Sequence, residues 1–125
     1  MNDKYYKVCF RDHESGALMS AAVKGGRAEV KYEMGRPSTP PDWLAAQGYG
    51  LLVFTDLAEA RAWAHRWGRN DCKVFECAVR ELITPLPPRC SVFAVGFKGR
   101  LIPAQTPLWP ESTAMVTSLT LEKEV

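Results

Sequence analysis

The sequence predicts an α+β fold with a mainly antiparallel sheet of about six or seven strands. Short segments in which apolar and polar residues alternate recur along the 125 residues, and this is the pattern of strands with one buried face. Most of these segments are joined by short polar turns, which favour antiparallel neighbours. Two segments are predicted as helices instead, the main one at about residues 56–67 and a short one at about residues 41–47.

The first predicted strands lie in the N-terminal third of the chain. "KYYKVCF" places Tyr6, Val8 and Phe10 on one side of an extended segment, which indicates a half-buried strand. The segments "ALMSAAV" and "RAEVKYEM" follow and are separated by "KGG". Gly25 and Gly26 can adopt the positive φ angles of a two-residue turn, so these two segments are predicted to form a hairpin.

An irregular connection, "RPSTPPDWLAAQG", follows the hairpin. Its prolines disfavour a strand, since proline lacks the N–H group that a central strand needs. Pro41 can occupy the first turn of the short helix, and Gly48 can end that helix. Long connections on a compact domain often carry function, so this segment is a candidate lid.

The stretch "GYGLLVFTDLAEARAWAHRW", residues 48–67, combines a strand with the main helix. "LLVF" is short and wholly apolar, as expected of a strand inside a sheet. Asp56 and Glu59 have the spacing of a capping box at the start of the helix, and Gly68 can end it. An apolar stripe at helical intervals is predicted to face the core, and it comprises Leu57, Ala60, Trp63, Ala64 and Trp67.

Further strands are predicted after this helix. "CKVFECAVREL" and "CSVFAVGF" both alternate in polarity and are separated by the proline-rich "PLPP". A proline-broken loop, "PAQTPLWPES", then precedes a closing strand, in which one side is formed by Met115, Thr117, Leu119 and Leu121.

The composition indicates one domain, residues 1–125, because 46% of the residues are hydrophobic and can form a single core. A net charge of +2 is far below that of a dedicated nucleic-acid-binding protein. No segment approaches the roughly 18 apolar residues of a membrane-spanning helix, and "MNDKYYKVCF" does not resemble a signal peptide, so a cytoplasmic location without membrane contact is expected. The four cysteines are then expected to be reduced thiols, and their spacing matches no common zinc module.

The usual catalytic motifs are missing from the sequence. No Ser-His-Asp or Cys-His pattern stands out, and the G-x-S-x-G, P-loop, HExxH and EF-hand motifs are absent. The glycines of "GYG" precede a strand, whereas a dinucleotide-binding fingerprint follows one. We therefore expect a protein that acts by binding, without catalysis, cofactor or metal.

A row of basic residues is a candidate contact surface. Arg61, His65 and Arg69 follow at intervals of four residues, so they share one edge of the predicted helix. Such a row can bind a phosphate-bearing ligand or an acidic partner. The alternative is a solvated helix face that complements the dipole at the end of the helix, and this is the more common case.

The predicted ligand or partner contacts are Tyr49, Arg61, His65 and Lys7. Tyr49 is included because the two glycines around it are not explained by the helix that follows. The proline-rich segments at residues 36–42 and 103–110 are predicted to frame a cleft next to it.

The stretch "GYGLLVFTDLAEARAWA" resembles part of the small mono-ADP-ribosyltransferase-like domains of bacteria and phages. In that family a glycine turn leads into an apolar strand, a threonine and an alanine-rich helix with a tryptophan. The resemblance implies an enzyme that uses NAD, with Lys7 and Thr55 in the pocket and Glu111 as the carboxylate. The sequence departs from the family at the first strand, where "YKV" replaces the expected His or Arg, and the catalytic residues are not matched.

More diffusely, "YYKV", "VKYEMGR" and "WPESTAMV" resemble small phage-encoded proteins of unknown function. The leading hypothesis is accordingly a phage- or prophage-type binding protein, an inhibitor or accessory protein whose partner is a host protein or a nucleotide-like small molecule. Two alternatives remain. One is an ADP-ribosyltransferase-like enzyme using NAD, and the other is a structural or assembly component with an interface built from residues 114–122.

Overall fold

The structure is a computed structural model that describes residues 4–11, 14, 16–20, 30–66, 72–87, 90–91, 102–103 and 112–125. Within these ranges the chain forms nine strands and two helices. The strands are β1 (Tyr5–Arg11), β2 (Leu18–Ser20), β3 (Lys31–Tyr32), β4 (Pro37–Ser38), β5 (Leu51–Phe54), β6 (Cys72–Leu82), β7 (Cys90–Ser91), β8 (Ile102–Pro103) and β9 (Thr113–Glu124). The helices are α1 (Asp42–Ala45) and α2 (Leu57–Arg66).

Seven of these strands form one sheet. Its order is β3-β2-β1-β5-β9-β4, while β6 pairs with both β1 and β9, and every one of these strand pairs is antiparallel. The pairing of β1, β5, β9 and β6 closes on itself, so these four strands form a small barrel. The predicted antiparallel, sheet-rich fold is confirmed, and it fits a mainly-β or an α+β class.

β1 separates two hydrophobic clusters. Tyr6, Val8 and Phe10 lie on the face of β1 that packs against α2, whereas Cys9 lies on the face inside the barrel. The prediction of a half-buried strand is wrong here, because α2 covers one face and closure of the barrel covers the other. As a result the four consecutive residues from Lys7 to Phe10 are all buried.

The two clusters share β1, β2 and β6, but α2 contributes buried residues only to the helix-side cluster, and β3, β5 and β9 contribute them only to the interior cluster. The helix-side cluster has as its buried members Val8, Phe10, Met19, Ala60, Ala64 and Val74. The interior cluster has as its buried members Cys9, Leu18, Tyr32, Leu51, Val53, Phe75, Cys77, Val116, Leu119 and Leu121. All four barrel strands contribute to the interior cluster, which is why it contains partners that are far apart in the sequence.

α2 follows the sequence-based prediction closely. The helix begins after Asp56, whose Oδ1 accepts a hydrogen bond of 3.3 Å from the Ala58 N–H, as expected of an N-cap. Ala60 and Ala64 are buried against the sheet, and the Trp63 ring packs against Phe54 with 6.0 Å between ring centroids. The tryptophan therefore belongs to the packing, as its position in the apolar stripe predicted.

α1 is shorter than predicted and spans Asp42–Ala45, directly after Pro41. Of the helices in the described part of the chain, none is long and apolar enough to cross a membrane.

Several predicted features lie outside the described residues. They are the Gly25–Gly26 turn, the end of the main helix at Trp67 and Gly68, most of "CSVFAVGF", and the loop segment 104–110. The closing strand is confirmed as β9, and it pairs with β4, β5 and β6.

Candidate functional site

The turn at Gly48 and Tyr49 closes α1. Gly48 has φ of 88°, a conformation in which a side chain is unfavourable. The Gly48 N–H donates to the Ala45 carbonyl at 3.0 Å, and the Tyr49 N–H donates to the Leu44 carbonyl at 3.2 Å. These two bonds form a Schellman motif, which satisfies carbonyl groups at the end of the helix. The first glycine of "GYG" is thus explained by helix capping.

The second glycine is explained by strand packing. Gly50 lies against the backbone of β9, and a Cβ atom placed there would overlap the Val116 carbonyl oxygen and approach Ile83 Cδ1 to 2.8 Å. Only glycine lets the chain pass so close to the neighbouring strand. Tyr49, between the two glycines, is half-buried and has an interaction partner in the fold. The turn therefore has a structural reason in each of its glycines, and its role as a ligand contact stays a prediction.

The predicted basic row is partly described. Arg61 and His65 are both exposed and lie one turn apart on α2, and Ala58 and Ala62 are exposed on the same side. Neither Arg61 nor His65 forms an ion pair or hydrogen bond with another described residue. Arg69, the third predicted member, lies outside the described residues. We call the surface formed by Ala58, Arg61, Ala62 and His65 the α2 outer face.

Lys7 occupies a different place from the other predicted contacts. It is only 3% exposed, and its Nζ donates a hydrogen bond of 2.7 Å to the Leu52 carbonyl. The same Nζ lies 5.6 Å from the centre of the Tyr32 ring. Burial lowers the pKa of the Lys7 amine from its ordinary value, because the charged form loses its hydration inside the barrel.

Two thiols and a phenol surround this amine. Burial raises the pKa of Cys9 to about 12 and the pKa of Cys77 to about 12, and in both cases a positive charge on Lys7 would act in the opposite direction. Burial also raises the pKa of Tyr32. The Cys77 Sγ donates to the Tyr5 carbonyl at 3.4 Å. At neutral pH all three groups are uncharged, so none of them supplies a negative charge to Lys7.

A metal centre is not formed by the part of the chain that the structure describes, since no three His, Cys, Asp or Glu residues there are grouped to hold an ion. Cys9, Cys72 and Cys77 are free thiols, and Cys9 and Cys77 are buried as small apolar residues usually are.

Thr55, from the alternative NAD-binding set, connects the end of β5 to the start of β9. Its N–H donates to the Ser112 carbonyl at 2.8 Å, and its Oγ1 donates to the same oxygen at 3.4 Å. Glu111, the carboxylate of that set, lies outside the described residues. Lys7 directs its Nζ to a backbone carbonyl inside the barrel, so the described residues do not form a pocket from Lys7 and Thr55.

The predicted contacts therefore fall into separate regions. Arg61 and His65 share the α2 outer face, while Lys7 projects from the face of β1 opposite to α2. Sequence reasoning missed the environment of Lys7, namely the Leu52 carbonyl and the Tyr32 ring. The one available signal was the alternation in "YKVC", which places Lys7 on the same face as the apolar Cys9.

Comparison with known proteins adds no relative, because no family model, curated protein or solved structure matches this chain.

Proposed function

We propose that this protein acts by binding, without catalysis, and that the α2 outer face is its contact surface for an acidic protein partner. The observation that carries the proposal is the pair Arg61 and His65. Both side chains are exposed, they lie one helical turn apart, and neither is paired with a carboxylate of the described residues. Two such groups can bind neighbouring carboxylates of a partner, and the arginine can do so with two parallel hydrogen bonds.

The shape of this surface favours a protein over a nucleotide-like ligand. Small ligands are usually held in concave sites that bury most of their surface. The α2 outer face is the exposed side of a helix whose other side packs on the sheet through Ala60 and Ala64. Ala58 and Ala62 carry only a methyl group each, so a partner can approach the helix closely between the two basic residues.

The same proposal retains two predictions made from the sequence, a cytoplasmic location and a phage- or prophage-type role as an inhibitor or accessory protein. The alternative of an assembly component, with an interface built from residues 114–122, is not supported by β9. This strand is paired with β4, β5 and β6 and lies inside the sheet.

The proposal is tested by nuclear magnetic resonance titration of the labelled protein with poly-L-glutamate as the acidic probe. We expect the largest amide shift changes along residues 58–65, and we expect them to decrease as salt is added. The double variant Arg61→Ala/His65→Ala should lose most of the response while keeping its fold. The matched control is Lys73→Ala/Arg80→Ala, which removes two exposed cations from β6 and should leave the response in α2 unchanged.

Shift changes that are spread evenly over the surface, or that persist in the α2 double variant, would contradict the proposal. The NAD-dependent alternative is tested in parallel by thermal unfolding with NAD and with ADP-ribose. A ligand that binds only the folded state stabilises it by about 2.7 kcal/mol at a hundred times its Kd. Stabilisation of this size by NAD, lost in Thr55→Ala and kept in the α2 double variant, would replace the binding-protein proposal with the transferase-like one.

A further inference from the structure

The four strand pairs of the barrel differ greatly in length. The pairing of β6 with β9 runs from Phe75 opposite Glu124 to Leu82 opposite Val116. The pairing of β1 with β6 runs from Tyr5 opposite Cys77 to Phe10 opposite Cys72. β1 and β5, in contrast, are joined by the single residue pair Tyr6–Phe54. We call this junction the β1–β5 seam. It is the place where the barrel has the fewest paired residues, and so the least strand pairing to lose on opening.

Lys7 reinforces the seam next to that pair. From β1 its Nζ reaches across to the Leu52 carbonyl of β5, at 2.7 Å, so a side chain supplies a connection between the strands beyond Tyr6–Phe54. The lysine is 3% exposed. A bond from a buried amine to a carbonyl is satisfactory for the neutral amine, whereas a buried ammonium without a counter-charge is costly.

The groups that face Lys7 from the surrounding strands carry no formal negative charge at neutral pH. They are the Cys9 thiol of β1, the Cys77 thiol of β6, the Tyr32 ring of β3 and the Leu52 carbonyl of β5. An ammonium there is offset only by the Leu52 carbonyl and by the π face of the Tyr32 ring, 5.6 Å from Nζ. The pKa of each thiol is raised by burial, and so is that of the phenol. The carboxylates of Glu122 and Glu76 add to the rise in the pKa of the Cys77 thiol.

We propose that the β1–β5 seam is a proton-controlled latch, closed when the Lys7 amine is neutral and bonded to the Leu52 carbonyl, and opened when the amine takes up a proton and moves to water. The open state binds one more proton than the closed state. Opening is therefore favoured as the pH falls from the ordinary lysine pKa of about 10.4 towards the lower pKa inside the barrel. Within that window the population of the open state rises up to tenfold for each unit of pH.

The first test is direct and uses the unaltered protein. The 13Cε resonance of Lys7 is followed from pH 5 to pH 11 in protein labelled with [13C]lysine, and it is assigned through its backbone. We expect the Lys7 signal to titrate well below the ordinary lysine pKa of about 10.4. A Lys7 signal that titrates at about pH 10 or above would overturn the proposal.

The second test locates the opening. Hydrogen exchange, corrected for the intrinsic effect of pH, is compared at the amides of the seam pair Tyr6–Phe54 and of the β6–β9 pair Val79–Leu119. We expect protection at the seam to fall towards low pH and protection at the β6–β9 pair to stay constant. If protection changes with pH by the same amount at both pairs, Lys7 acts on global unfolding, and the assignment to the seam is overturned.

Two variants complete the design. Lys7→Met keeps an unbranched side chain, shorter by one atom, and removes the ionisable amine, so its seam protection should no longer depend on pH. Lys73→Met removes an exposed amine of β6 and should behave as the unaltered protein. A pH dependence that persists in Lys7→Met would overturn the proposal. If Lys7→Met does not fold, the 13Cε titration still decides whether the latch can exist.

Discussion

The two clusters on either side of β1 are both buried, but they are built from different chemistry. The helix-side cluster brings together aliphatic and aromatic side chains, with Ala60 and Ala64 of α2 fitted closely against the sheet. The interior cluster, inside the barrel, also encloses Lys7, two thiols and the Tyr32 ring. One side of the strand is thus a conventional apolar interface, and the other is an apolar core with polar groups placed in it.

Two polar groups of the interior donate to backbone atoms of neighbouring strands. Lys7 donates to the Leu52 carbonyl of β5, and Cys77 donates to the Tyr5 carbonyl of β1. Each of these bonds connects two barrel strands. The buried members of the helix-side cluster are all apolar, whereas the interior combines apolar burial with side-chain bonds that depend on the closed arrangement of the strands.

The largest effect is expected inside the barrel, from Leu119→Ala. Leu119 is fully buried in β9, and its removal leaves a cavity that the closed barrel cannot collapse around. We expect a loss of about 3 kcal/mol in the free energy of unfolding, measured by urea denaturation. A loss below about 1 kcal/mol would mean that the interior is loosely packed, and the contrast with the helix side would disappear.

A smaller loss, about 2 kcal/mol, is expected from Gly50→Ala, because the added methyl group overlaps the backbone of β9 at Val116. Gly48→Ala is the matched control. There the methyl group meets nothing within 4 Å, and the cost of about 1 kcal/mol comes only from the positive φ angle. Thermal unfolding of both variants decides the order, and a smaller loss in Gly50→Ala than in Gly48→Ala would contradict the close approach of the strands.

On the helix side we expect Asp56→Ala to lower stability by about 1 kcal/mol, since the Ala58 N–H loses its acceptor at the start of α2. Asp56→Asn keeps an acceptor oxygen and should retain most of the stability. Denaturant unfolding monitored by circular dichroism measures both. If Asp56→Asn loses as much as Asp56→Ala, the carboxylate acts through its charge and not through the cap bond.

The smallest effect is expected at Glu76, which lies outside both clusters and pairs with Lys4 at 3.5 Å and with Lys123 at 3.4 Å. Partial burial raises the pKa of Glu76, but the hydrogen bonds and charges of the two lysines outweigh it and hold the pKa below its usual range. The folded state therefore favours the ionised form. The stabilisation is present above about pH 4.3, the ordinary pKa of a glutamate, and it is lost as the pH falls through the lower pKa that Glu76 has in the folded protein.

Accordingly, Glu76→Gln should lower the Tm slightly at pH 7, and the difference from the unaltered protein should shrink as the pH falls below about 4. Added salt should reduce the difference as well, because the lysines are largely exposed. Glu122→Gln, an exposed change on β9, is the control and should leave the Tm unchanged. A Tm difference for Glu76→Gln that does not depend on pH would rule out the ion pairs as its cause.

The helix side could be predicted from the sequence because its signals are local. Asp56, which caps the helix, lies only a few residues before the buried Ala60 and Ala64. Helical periodicity alone places Arg61 and His65 on the exposed side. The interior could not be predicted in the same way. Whether Lys7 faces water or a core depends on the closure of β5, β6 and β9 around it, and alternation within one strand carries no information about that closure.

The "GYG" turn shows the same division between local and distant causes. Gly48 was predicted as the end of the short helix, and this is confirmed by its φ angle and by its bond to Ala45. The need for glycine at position 50 could not be predicted from the sequence. It arises because the backbone of Val116, in a strand much later in the chain, lies against Gly50. A glycine without a local explanation can thus have a distant structural cause.

The position of β9 also has a consequence for how fast the protein folds. This strand joins segments as distant in the sequence as Leu51 and Val116, and no arrangement of the preceding strands closes the barrel without it. The chain must give up loop entropy over that separation before the pairing stabilises it. Such a topology has a high contact order, and we expect folding in milliseconds to seconds.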